Sequence, residues 1–94
     1  MNALVEEVRA ELHLIVPLVD PSGLSDRVLS DVRTRIELAD TVHGLQDVAR
    51  DLIAMADHAA YSALEWGEVV RFDRACLAAK ELHILLVALR RLEA

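Results

Sequence analysis

From Leu45 to Leu92 the apolar residues of this chain recur at intervals of four and three, with one interruption. Leu45, Ala49, Leu52, Ala56, Ala59, Ala63 and Trp66 form the first run; Ala75, Ala78, Leu82, Leu85, Leu89 and Leu92 form the second. That spacing brings side chains back to one face of an α-helix and conflicts with the period of two in a half-buried strand. It predicts two long helices, over 45–66 and 69–92. Gly67 falls between them, and glycine ends helices readily because it adopts the left-handed conformation without a Cβ penalty. The two helices then form a hairpin; one long rod bent through Gly67 is the alternative. Four of the seven positions in the first run are alanine, which lets a neighbouring helix approach to the lower end of the ~8–10 Å range.

The remainder of the chain carries two shorter helical patterns. Over 3–16, Leu4, Val8, Leu12 and Ile15 repeat at helical spacing, widened by Val5 and Val16, with Glu7, Arg9, Glu11 and His13 facing away. Asn2 is the expected N-cap, and Glu6 and Glu7 sit where the helix dipole favours acids. Pro17 lacks a backbone donor and clashes with the carbonyl of His13, so it ends this helix or kinks its last turn. Asp20-Pro21-Ser22-Gly23 reads as a loop. Ser25 then caps a second helix over 26–43, with Leu29, Val32, Ile36 and Ala39 inward and Gly44 as its terminator. Only three glycines and two prolines occur, too few turns for an all-β domain, and the apolar content is aliphatic and alanine-rich. The expected architecture is all-α: one domain spanning 1–94, an antiparallel bundle of about four helices.

The last helix carries more apolar surface than a monomeric bundle requires. Beside its first stripe runs a second, Leu77, Ile84 and Val87, continued by Asp73, Lys80 and Arg91. A bundle helix needs one apolar face. Either the other three helices wrap this one, or its second face meets another subunit. The chain is 54% apolar with only 94 residues, and a small domain has little interior in which to bury such a surplus. A homo-oligomer assembled through Leu77, Ile84 and Val87 is the expectation.

Charge and motifs narrow the functional classes. Sixteen acids against ten bases give a net charge of −6, opposite to the basic footprint that nucleic acid requires. The longest uncharged, strongly apolar stretch, Leu82 to Leu89, is far short of the ~20 residues of a membrane span. The acidic start of the chain is unlike a signal peptide, and Cys76 is alone, so no intrachain disulfide forms. A cytoplasmic protein is expected. His13, His43, His58 and His83 fall one to each helical segment without the Glu-x-x-His pairs of bundle metal sites. Glu37-x-x-Asp40 and Glu65-x-x-Glu68 stand in reverse order to the acid pairs of all-α magnesium pyrophosphohydrolases. Ser25-Asp26-Arg27 lacks the Asp-Ser-Leu signature of carrier proteins, and the bases fall mainly on wet faces, apart from edge positions such as Arg35, where a chorismate mutase needs several inward. Cys76 and His83 are two turns apart, ~10 Å along a helix, too far for direct activation.

No catalytic residue, cofactor or metal is expected from this pattern. The predicted activity is stoichiometric binding of another protein. All three aromatics, Tyr61, Trp66 and Phe72, lie in one segment with Arg71 and Arg74, and aromatics and arginine are enriched at interface hot spots. Trp66, Arg71 and Arg74 are the candidate partner-binding residues. One alternative is an acidic inhibitor of a host defence or nucleic-acid-processing complex, of the anti-CRISPR-like kind that phages and mobile elements encode. Another is a small all-α enzyme with a metal or acid site.

Overall fold

The computed structural model describes residues 3–19 and 25–93. Four α-helices make up the described chain: α1 (Ala3–Val19), α2 (Asp26–Leu38), α3 (Val42–Glu65) and α4 (Val69–Glu93). The cap expected at Asn2 and the loop expected at Asp20-Pro21-Ser22-Gly23 lie outside the described residues.

Helices α3 and α4 form the predicted hairpin, and a Schellman turn closes it. Gly67 has φ +68°. Its amide donates to the Leu64 carbonyl at 3.3 Å, and the Glu68 amide donates to the Ala63 carbonyl at 2.8 Å. These bonds satisfy the last carbonyls of α3 and reverse the chain. The Phe72 amide then donates to the Glu68 carbonyl at 2.9 Å and starts α4. The alanine seam is buried as predicted: Ala49, Ala56, Ala59 and Ala63 of α3 and Ala75 and Ala78 of α4 are inaccessible or nearly so. Trp66, the last residue of the predicted seam, is instead 76% exposed, because the turn carries it past the final point of contact.

Three element boundaries differ from the sequence reading. Helix α1 passes through Pro17 and ends at Val19. Val16 and Val19 are fully buried, so their burial holds the last turn in place against the loss of one hydrogen bond. Helix α2 ends at Leu38, five residues before the predicted limit, with Ala39 extended at ψ 98°. Thr41 then caps α3, its hydroxyl accepting from the Gly44 amide at 3.0 Å. Gly44 therefore lies in the first turn of α3 and not at the end of α2. A Cβ there would stand 3.2 Å from the capping Thr41 hydroxyl and 3.4 Å from Ala39. Ser25 caps α2 as expected, accepting from the Val28 amide at 3.3 Å.

Helix α1 packs on all three of the others, whereas α2 packs on α1 and α3 and does not reach α4. The inward line of α1 is Val5, Val8, Leu12, Ile15, Val16 and Val19, while Leu4 is 48% exposed. Arg9, expected on the wet face, is buried within that line. Its guanidinium donates to the carbonyls of Ile36 at 2.6 Å and Glu37 at 2.9 Å, with Glu6 3.5 Å from its Nε. It thereby caps the C-terminal end of α2, where carbonyls lack helical partners and the dipole favours a cation. His13 hydrogen-bonds the Glu37 carboxylate beside it, and Arg35 pairs with Asp51 across α2 and α3 at 2.8 Å.

The core is unevenly distributed along the hairpin. It joins Leu45 to Ala56 of α3 and Ala78 to Leu89 of α4 with the inward faces of α1 and α2. Ala59, Ala63 and Ala75 are buried but lie outside this cluster. The molecule thus has a three- and four-helix body and a two-helix arm, within principal extents of 43 × 26 × 16 Å.

Candidate functional site

The arm ends in a run of uncovered apolar side chains around the turn. Tyr61 and Leu64 on the last turns of α3, Trp66 in the turn, and Val69 and Val70 on the first turn of α4 are each 64% or more exposed. Their cause is geometric. The seam positions 59, 63 and 75 bury only alanines, so the two backbones run close and larger side chains are turned outward. Neither α1 nor α2 contributes core at this end.

Of the three predicted partner-binding residues, Trp66 and Arg74 are exposed and Arg71 is half-buried. The Arg71 guanidinium lies 3.5 Å from the Glu68 carboxylate and donates to the Ser62 hydroxyl at 3.4 Å. It ties the base of the turn together and frames this run. Phe72 packs partly inward, whereas Trp66 does not. Sequence reading placed Tyr61 in the aromatic segment without naming it a partner-binding residue, and it missed Leu64, Val69 and Val70. A signal existed: Tyr61 and Leu64 fall off the four-three positions occupied by Ala59, Ala63 and Trp66. Val69 and Val70 stand in a first turn, where polar residues are the usual occupants.

The second exposed surface is the outer face of α4. Leu77, Ile84 and Val87 are 52%, 52% and 46% exposed, and they lie opposite the buried Ala78, Leu82 and Leu89. The described helices leave this stripe uncovered, so α4 is not the wrapped central helix that one reading of its two apolar faces allowed. Val70, Asp73, Lys80 and Arg91 complete the line at four-three spacing, all exposed. The surface continues sideways through Ala88 and Arg91 into a groove of about 500 Å³ between α1 and α4, lined by Leu4, Val8, Leu85 and Leu92.

The polar residues weighed for chemistry stay apart. Among the described residues, no three His, Cys, Asp or Glu side chains gather as metal ligands would. Glu37 is engaged by His13, and Asp40 follows it in the α2–α3 junction. Glu65 and Glu68 lie on either side of the turn, as expected from the Trp66-Gly67 break. Cys76 is exposed on α4. Gln46, which sequence reading left without a role, is fully buried, and no buried side-chain polar atom among the described residues lacks a hydrogen-bond partner. No described helix is long and apolar enough to cross a membrane.

The chain matches no protein-family model, and comparison with curated proteins and with solved structures likewise finds no match.

Proposed function

We propose that the chain acts by stoichiometric binding, taking a partner protein on the hairpin tip and a second copy of itself on the outer face of α4. The observation that carries the reading is the placement of Tyr61, Leu64, Trp66, Val69 and Val70. Five large apolar side chains stand uncovered within the last turns of a two-helix arm that projects from the core. Scattered exposed leucines are ordinary, but a contiguous apolar cluster rimmed by charge is the usual form of a protein-binding surface. Trp and Tyr supply much of the energy of such contacts when they enter a pocket on the other side.

Charge indicates the character of the partner. Arg9, Arg35, Arg50 and Arg71 each engage an acid of the same chain, so the field that faces outward is that of the excess carboxylates. A partner with an apolar recess inside a basic rim is complementary. This is also the surface that the inhibitor alternative requires, since complexes that process nucleic acid are basic.

The test takes the tip as its target. Wild-type chain and the Trp66→Ala/Val69→Asp variant are used as bait in extracts of the source cells, and the captured complex is weighed. A partner of defined stoichiometry, held by wild type and lost by a variant with an unchanged thermal melt, supports the reading. Equal retention by both removes the tip as the binding surface.

A further inference from the structure

We propose that two copies of the chain pair through α4 about a two-fold axis at the level of Leu82, the helices antiparallel. Leu77 then faces Val87, Lys80 faces Ile84 and Asp73 faces Arg91 of the second copy. The inference rests on the self-pairing proposed above and specifies its geometry.

The argument begins with the exposed stripe Val70, Asp73, Leu77, Lys80, Ile84, Val87 and Arg91. Its spacing is that of a coiled-coil seam, on the side of α4 that the described helices leave uncovered. None of its three charged residues makes an ion pair with a described residue of its own chain. In a parallel pair each would face its own copy, so Asp73 would oppose Asp73, and likewise Lys80 and Arg91. An antiparallel pair brings unlike positions together instead, and an isologous two-fold contact makes each pairing twice.

Neighbouring antiparallel registers fail on charge. Moving the axis toward the turn by half a heptad sets Asp73 against Ile84, burying a carboxylate without a partner. Moving it the other way sets Lys80 against Arg91. Only the axis at Leu82 places the outer acid against the outer base, the two aliphatic pairs inside them, and the Lys80 stem across Ile84 with its ammonium at the rim. The groove between α1 and α4 adjoins the seam at Ala88 and Arg91 and widens the contact toward Leu4.

The arrangement has a functional consequence. Each Gly67 turn lies 15 residues from the axis position, so the two apolar tips point in opposite directions, ~45 Å apart along the seam. A dimer of this form presents two binding ends and gains avidity on a partner that repeats.

The test is a charge exchange read by sedimentation equilibrium. Wild type should sediment as a dimer of the 10.4 kDa chain. Asp73→Arg and Arg91→Asp should each weaken the dimer on the order of tenfold, because each sets like charges opposite one another twice. The double variant Asp73→Arg/Arg91→Asp should return the wild-type constant. Both residues are exposed, so all three variants keep the monomer fold. In a Cys76→Ser background, a short bis-maleimide should join copies through His83→Cys, beside the axis, and not through Val70→Cys. A chain monomeric at micromolar concentration overturns the inference together with self-pairing. A dimer without mutual rescue, or one joined through Val70→Cys, overturns the register while self-pairing stands. Neither result touches the tip, which is assayed separately.

Discussion

Arg9 shows how a charged residue can serve as a structural clamp. Its guanidinium is 8% exposed and donates to two carbonyls at the end of α2, so its removal leaves acceptors unpaired inside a helix junction. Arg9→Ala should cost roughly 2–3 kcal/mol in a urea titration, the range for charge-assisted bonds lost from a buried site. Arg9→Lys should recover only part, since an ammonium cannot reproduce the planar fork. An alanine variant as stable as wild type would show that water replaces the clamp at no cost. The residue was illegible in sequence because the stripe Leu4, Val8, Leu12 and Ile15, widened by Val5 and Val16, is broad, and periodicity does not fix where its centre lies. The structure buries almost all of the predicted stripe, but its centre is turned toward Val5, Val16 and Val19, which leaves Leu4 exposed and carries Arg9 inward. Thr41 is a second case. Sequence reading gave the α2–α3 boundary to Gly44, the commonest type of helix terminator, while the Thr41 hydroxyl caps α3 from three residues earlier. Thr41→Ala should therefore lower stability by about 1 kcal/mol, whereas a boundary at Gly44 would leave that substitution near neutral in the same titration.

Helices α3 and α4 were the most legible elements, because long regular spacing dominates any single residue. Their limits match the predicted ones closely, and Gly67 divides them with the left-handed φ that its position suggested. The short helices were read less well, since in each a local feature competed with the pattern: Pro17 against the buried Val16 and Val19, Gly44 against Thr41. The alanine seam carries an expectation of its own. Ala56 and Ala59 are inaccessible between closely approaching helices, so Ala56→Leu or Ala59→Leu forces either strain or separation and should cost ~1–3 kcal/mol. Leu77→Ala, on the opposite face of α4, should change the unfolding free energy of the monomer by no more than about 0.5 kcal/mol. Thermal melts of the three variants at a concentration that keeps the chain monomeric distinguish the faces. Equal losses at all three positions would mean that the outer stripe is buried within the chain.

At the scale of the molecule, what the sequence did not reveal is that α1 and α2 cover only one end of the hairpin. Periodicity gives each helix a face, but it carries no information on how far one helix slides along another. The exposed apolar side chains of the tip follow from that offset, which is why composition pointed to the aromatics Tyr61 and Trp66 while Leu64, Val69 and Val70 were not found. The same offset predicts how stability is distributed. In the body, Leu45, Leu52, Leu82 and Leu89 are buried among residues of several helices. In the arm, the fully buried side chains between α3 and α4 are Ala59, Ala63 and Ala75, outside that cluster. Each buried methylene contributes about 0.8 kcal/mol, and alanine supplies the least of any side chain on the seam. The arm can open by separating two alanine-lined helices while the body stays folded, which is the low-stability behaviour typical of binding elements. Hydrogen exchange followed by mass spectrometry should therefore find the segment 59–75 exchanging faster than 45–56 and 78–89, although all three are helical apart from the turn. Saturation with a partner that grips Trp66 and its neighbours should slow the first segment far more than the other two. Protection at 59–75 equal to that of the body, before any partner is added, would show that the hairpin unfolds only as a unit with the rest of the chain.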